Sequence, residues 1–281
     1  MVEALTIGCE EIADLRSLGL YSSAVMDRNE IVWPVPPDKL VLAPTEMHVW
    51  ATWLEAPKEI VSRGASILAS DEGERAARFR FDKHRNRFIV GRAILRSLLG
   101  RYLNCSPSRL QFVYGLHGKP ALAGHFAESD LYFNLAHSED IALIAVTRLG
   151  PVGVDVEQIR PMADADELVE RFFSPRENAL FQKLPANEKD IAFFNLWTRK
   201  EAWLKATGEG ITQLLNKVEV TFLPGEPARL LALPENSATN SDWVLRELTP
   251  APGFVGAVAL PNRQFVISKF QFPIPQLADS L

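Results

Sequence analysis

The chain has 281 residues, of which 47% are apolar, so it can build one large or two small cores without disulfide or metal staples. Its 30 Lys+Arg against 35 Asp+Glu give a net charge of −5, which excludes general nucleic-acid affinity from bulk charge and requires any anion site to be built locally. The only cysteines, Cys9 and Cys105, form no C-x-x-C pair, the opening MVEALTIGCEEI lacks a basic stretch before an apolar one, and no run approaches the ~20 apolar residues of a membrane span; the expectation is a cytoplasmic protein with no membrane contact.

In chain order, residues 1–45 show little periodicity and end in WPVPPDKLVLAP, whose prolines disfavour helix and central strand alike, so this reads as an extension laid on the body. From Met47 the run HVWATWL alternates as a strand does, and 71–103 is charged early and helical later, with Ile94, Leu95, Leu98, Leu99 and Leu103 at helical spacing. LYFNLAHS (131–138), IALIAV (141–146) and VGVDVE (152–157) are short β-rich runs between turn residues, which predicts adjacent strands. Helical patterns return at about 164–172, 176–184 and 188–207, and strands at 217–222, 242–248, 254–260 and 264–270. The order describes two mixed α/β halves meeting near Gly150-Pro151, 46–150 and 151–281, after the 1–45 extension.

Two patterns carry chemistry. In Gly153-Val154-Asp155-Val156-Glu157 the two-residue period of a strand puts both carboxylates on one face and both valines on the other. In FFNLWTRKEAWLKATGEG (193–210), a helix stopped by Gly208 and Gly210, Glu201 and Lys205 stand at i and i+4 on one face. Alone, the first is also what a half-exposed strand gives, and the second an ordinary surface ion pair. Together Asp155, Glu157 and Glu201 form a hard oxygen set of the kind Mg²⁺ prefers, with positions left for water and phosphate oxygens.

With GVDVE followed about 40 residues later by WTRKEAWLKATGEG, the chain resembles the Sfp-type 4′-phosphopantetheinyl transferases. RFRFDKHRNRFIVGRAILRSLL (78–99), HGKP (117–120), FNLAHS (133–138) and RFFSPREN (171–178) follow that family's order, and the likeness covers roughly 47–270. The resemblance implies two similar α/β (α+β) subdomains in a pseudo-twofold arrangement, with coenzyme A in the cleft between them and a monomer sufficient. It implies transfer of the phosphopantetheine arm of coenzyme A to a serine of an apo acyl or peptidyl carrier protein, with Mg²⁺ (or Mn²⁺) on Asp155, Glu157 and Glu201. Glu201, directly or through a metal-bound water, would also be the base, and Lys205 would offset charge on the transferring phosphate. Arg75, Arg87, Lys119 and His137, with Arg78 less strongly, fall on positions that contact coenzyme A phosphates. Ala136, Phe88 and Glu72 depart from residues common in the family, and all three were expected on the nucleotide side. Phe172, Phe173, Leu180 and Phe181 are candidates for a carrier-facing surface, with core packing as the alternative. The rival functions are a coenzyme A or carrier binding module without chemistry, and a metal-dependent pyrophosphate hydrolase.

Overall fold

The computed structural model describes residues 31–37, 40–209, 214–234 and 242–280. Strand β1 (Glu46–Trp53) is buried at six consecutive positions, so its alternating sequence faces protein on both sides. It pairs antiparallel with β5 (Ile141–Thr147), which pairs antiparallel with β4 (Tyr132–Ser138). The C-terminal strand β11 (Val266–Gln271) returns to lie parallel to β1, completing the sheet order β11-β1-β5-β4. A second sheet, β6-β10-β9, is built from β6 (Gly153–Gln158), β10 (Phe254–Pro261) and β9 (Trp243–Leu248), all antiparallel.

Between β1 and the later strands stand α1 (Lys58–Ser66), α2 (Ser70–Ala77) and α3 (Asp82–Leu103). The 71–103 stretch is thus two helices, broken at the charged 78–81 link. Helix α3 ends at Asn104, which takes the left-handed cap (φ 52°) that Asn tolerates well. The second half repeats the pattern with α4 (Ala165–Phe172), α5 (Pro175–Phe181) and α6 (Ala186–Thr207). Pro175 at the first helical position and the Ser174–Glu177 capping box start α5. Each long helix has 22 residues and is followed by a short hairpin: β2 (Phe112–Tyr114) with β3 (Pro120–Leu122), and β7 (Glu219–Val220) with β8 (Leu230–Ala232). The strand order β1-β5-β4 of the first half is matched by β6-β10-β9 in the second, so one connectivity occurs twice before β11 crosses back to β1. The last helix, α7 (Ile274–Ser280), packs on α1 and α3.

Three apolar cores explain the layering. Val90, Ala93, Ile94, Leu95, Leu98 and Leu99 of α3 meet Trp50, Ala142, Ile144 and Val146 on one face of the four-stranded sheet. The opposite face of that sheet, with Val49, Leu143 and Ala145, meets Val154, Val156, Val258 and Leu260 of the second sheet. The other face of the second sheet, through Ala257, Ala259 and Leu245, packs on Phe194, Ala202, Trp203 and Ala206 of α6. The stack is helix, sheet, sheet, helix.

Within the extension, Ile31 and Trp33 join the sheet–sheet core, and Trp33 Nε1 donates to Thr249 O at 3.1 Å. Leu40 is half-buried against the α3 core, whereas Val41 is 60% exposed. Replacing Trp33 with Ala should lower unfolding free energy by about 3 kcal/mol, at the lower end for a large aromatic because its ring rests at the edge of the core. Urea denaturation reads this directly, and a loss under about 1 kcal/mol would show that 31–37 merely rests on the surface.

Candidate active site

Strand β6 reaches α6 because Gly153 has no side chain. A Cβ there would lie 2.1 Å from Ala202 O and 2.3 Å from Ala206 N, far inside van der Waals contact. Backbone therefore meets backbone, and the next inward-facing residues of β6, Asp155 and Glu157, are carried to the side of α6 that presents Glu201 and Lys205. Val154 and Val156 point into the sheet–sheet core, as a two-residue period requires. Helix α6 then ends at Gly208, whose left-handed conformation (φ 77°) lets its N–H bond Leu204 O. Gly210 lies outside the described residues.

The site is strongly acidic and dry. Asp155 is 5% exposed and Glu201 2%, while Glu157 is half-buried. Lys205 bridges from α6 to β6, with Nζ 2.6 Å from Asp155 Oδ1. Ser138, at the end of β4, donates to Glu157 Oε2 at 2.6 Å and accepts from Gln158 N at 3.2 Å. Farther along, Val154 N donates to Asn134 Oδ1 at 2.8 Å, so β4 is stitched to β6 by side chains. Desolvation raises the pKa of Asp155 against the pull of Lys205. Burial, with the Asp155 charge added, pushes Glu157 up to about 7. Burial, against the help of Lys205 and with repulsion from Asp155 and Glu157, pushes Glu201 up to about 8.

Asp155 Oδ2 and Glu201 Oε1 are buried with no hydrogen-bond partner among the described residues. Two orphaned carboxylate oxygens beside a third, mutually repelling carboxylate make a donor set that suits a hard divalent cation. Among the described residues no three Asp, Glu, His or Cys side chains are already set around one such position, because Lys205 and Ser138 draw Asp155 and Glu157 toward protein donors.

The cations expected for phosphate divide. His137 follows Ala136 on β4 and keeps its ring in contact with solvent. Surrounding protein, with the charges of Lys205, Arg87, His84 and Arg75, lowers its pKa to about 4. Arg75 and Arg78 are exposed at the end of α2, with the Arg75 guanidinium 5.4 Å from the Phe88 ring centre. Arg87 is buried, and its Nε donates to Asp140 Oδ1 at 2.9 Å while its Nη2 reaches Glu139 Oε2 at 3.3 Å. Lys119 Nζ donates to Val152 O at 3.0 Å and Ala206 O at 3.1 Å, and desolvation lowers its pKa to about 8. It thereby ties the β2–β3 hairpin to both β6 and the C-terminal carbonyls of α6. A recess of about 330 Å³, lined by Tyr114, His117, Lys119, Pro120 and Gly208, opens beside it.

Comparison with known proteins identifies the family. The family model "4'-phosphopantetheinyl transferase superfamily" matches residues 151–259, and "4'-phosphopantetheinyl transferase, N-terminal" matches 51–148. The 4'-phosphopantetheinyl transferase HetI of Nostoc sp. strain PCC 7120 is 45% identical over 228 residues, covering 81% of this chain and 93% of HetI. The chain belongs to the 4′-phosphopantetheinyl transferase superfamily. The 4'-phosphopantetheinyl transferase Sfp of Bacillus subtilis strain 168 is 25% identical over 221 residues, 78% of this chain and 94% of Sfp.

One expectation for this transferase is corrected, and for Phe173 and Phe181 the core-packing alternative holds. Glu72 does not face the nucleotide side: it is 1% exposed and held between the guanidinium groups of Arg92 and Arg96, with Oε2 also capping Ala69 N at 3.0 Å. Two buried arginines on α3 need a counter-charge, which explains an acid at that position. Phe173 and Phe181, 4% and 0% exposed, belong to the core under α6; of the proposed carrier-facing residues Leu180 is the most open, at 37%.

Sequence reasoning missed the joints. Ser138 and Asn134 lie within the FNLAHS motif without an assigned role, and the signal is there: two polar residues four apart, on one face of a strand that also carries Ala136. It also missed the buried Lys200–Glu177 pair at 2.5 Å, next to Glu201, in which Lys200 Nζ also donates to Leu215 O at 2.6 Å.

Gly153→Ala should cost about 2 kcal/mol or more of stability, as overpacking does, and should lower transferase turnover by at least about tenfold where the protein still folds. Gly73→Ala, where an added Cβ meets nothing within 4 Å, is the control and should leave both unchanged or slightly improve stability. Equal behaviour of the two variants in thermal melts and transfer assays would refute the close-contact argument.

Proposed function

We propose that this transferase catalyses attack of a serine hydroxyl of an apo acyl or peptidyl carrier protein on the pantetheine-bearing phosphate of coenzyme A. A serine O–P bond forms, the pyrophosphate P–O bond breaks, and adenosine 3′,5′-bisphosphate leaves. The supporting observation is the meeting of Asp155, Glu157, Glu201 and Lys205 across the Gly153 contact, in a buried pocket with orphaned carboxylate oxygens. A module that only binds would gain nothing from three buried acids that repel one another.

Asp155, Glu157 and Glu201 would hold Mg²⁺, for which Mn²⁺ would substitute. When bound, the cation neutralises pyrophosphate charge and leaves the phosphorus open to attack. The protein's own residues do the rest. Glu201 accepts the serine proton, Lys205 balances charge between Asp155 and the transferring phosphate, and Ser138 holds Glu157 in place. Arg75, Arg78 and Arg87 present positive charge for the 3′-phosphate and pyrophosphate, and His137, held neutral at pH 7 by its surroundings, offers a ring N–H as a hydrogen-bond donor beside them. Lys119 acts by holding the hairpin wall of the 330 Å³ recess, its remaining N–H facing the coenzyme. We read the halves as subdomains, 46–150 and 151–281, related by a pseudo-twofold, with β11 and α7 crossing back to the first. They would work as a cytoplasmic monomer. No helix among the described residues is long and apolar enough to cross a membrane.

Mass spectrometry of an apo carrier incubated with the protein, Mg²⁺ and coenzyme A tests the reading. A gain of the phosphopantetheine mass supports it, free nucleotide without that gain means a hydrolase, and neither means a binder. Glu201→Gln should cut single-turnover rate by at least about 10²-fold while coenzyme A affinity changes little. Lys205→Ala should weaken affinity and rate together, because it removes charge without removing the base. Normal turnover by Glu201→Gln would remove Glu201 from the role of base.

A further inference from the structure

The link between α2 and α3 concentrates positive charge on an otherwise acidic protein. From Arg75 to Arg87 there are six Lys or Arg and one acid, Asp82, in a chain of net charge −5. Arg85 pairs with Asp82 at 2.9 Å and Arg87 is buried on the β4–β5 turn, but Arg80 and Lys83 are exposed. Between them Phe81 is 54% exposed and belongs to none of the three cores. The Arg80 guanidinium stands 5.4 Å over its ring, and the His84 ring meets it edge-on at 6.1 Å.

This patch is mechanically continuous with the reaction site. Lys83 reaches Asp140 at 3.8 Å, and Arg87 binds both Glu139 and Asp140. Those two residues directly follow Ser138, whose hydroxyl holds Glu157. The start of α3 is therefore fixed to the end of β4 at the edge of the acidic pocket. A macromolecule that presents a serine to Glu201 must rest on the rim around it, and an exposed aromatic among arginines is the composition of an interface centre.

We propose that Arg80, Phe81 and Lys83 form a docking rim for an acidic carrier protein, whose carboxylates meet the cations while an apolar side chain covers Phe81. This rests on the carrier reading above. In the carrier reading the coenzyme already has Arg75, Arg78 and Arg87 as its cations, and a nucleic acid would not bring a serine to the pocket. Charges on such a rim act mainly through the encounter rate and are screened by salt.

The test compares the unmodified protein with Arg80→Glu, Lys83→Glu and Phe81→Ser, each first checked by circular dichroism melting. At about 50 mM salt the KM for the apo carrier should rise at least about tenfold in the charge reversals, with kcat at saturating carrier and the KM for coenzyme A within about twofold. The difference should shrink as salt is raised toward about 0.5 M. Phe81→Ser should raise carrier KM at both salt concentrations, and Phe81→Leu should restore much of it. A change in coenzyme A KM with carrier KM constant would assign the rim to the nucleotide, and no change in either would make it a solvated face. Inhibition of the unmodified protein, but not of the charge reversals, by duplex DNA with carrier KM unaffected would assign it to nucleic acid. Each of these overturns the proposal. If the unmodified protein modifies no apo carrier, the transfer reading fails and the proposal with it, a result separate from any variant's behaviour.

Discussion

A strand and a helix rarely approach so closely that backbone touches backbone, and the chemistry proposed for this protein depends on one such place. Gly153 has no atom to separate β6 from the carbonyl of Ala202 and the N–H of Ala206. Asp155 and Glu157, two and four residues on, consequently share a pocket with Glu201 and Lys205. The alternating Val154 and Val156 turn to the opposite face and anchor β6 in the sheet–sheet core. The acids are thus presented by a rigid strand on one side and a rigid helix on the other.

The arrangement is electrostatically costly. Three carboxylates face Lys205, with Arg160 3.7 Å from Glu157 as a second nearby cation, and two of their oxygens are buried without a hydrogen-bond partner among the described residues. A buried carboxylate without a partner is normally selected against, since desolvation alone costs several kcal/mol per ion. The surroundings offset this with local restraints: Ser138 on Glu157, Lys205 on Asp155, and Lys119 bridging Val152 and Ala206 around the same joint. Among the described residues outside this pocket, the buried charges have ion-pair partners. Glu72 sits between Arg92 and Arg96, and Glu177 binds Lys200 while also accepting from Ser174 N and Val220 N. That contrast marks the β6–α6 pocket as the place where an incoming positive charge is expected.

Much of this was legible in the amino-acid sequence because it is local. The alternation in GVDVE, the i, i+4 spacing of Glu201 and Lys205 and the Gly208 stop each depend on a few consecutive residues, and the long helices and main strands follow from runs of apolar residues. What was not legible depends on partners distant in the chain. Glu72 reads as a nucleotide-side residue by family position, because its partners lie 20 and 24 residues away on α3. For Phe173 and Phe181, surface and core packing stay open alternatives until α6 is seen to cover them. The hairpins β2–β3 and β7–β8 have strands of only two or three residues, too short for a period to show. The return of β11 to β1 joins residues more than 200 apart, and no pattern within either strand announces it.

The central claim is that the three carboxylates await a divalent cation. The most direct measurement is the melting temperature of the protein with and without millimolar Mg²⁺, in the unmodified form and in Asp155→Ala. Ligand that binds only the folded state stabilises it by RT ln(1 + [L]/Kd), so at about 100 times Kd the gain is about 2.7 kcal/mol, a shift of several degrees. The account predicts that shift in the unmodified protein, its enhancement by coenzyme A, and its loss in Asp155→Ala, which should keep its fold in the absence of metal. Identical melting with and without Mg²⁺ and coenzyme A, or an undiminished response in Asp155→Ala, would contradict it.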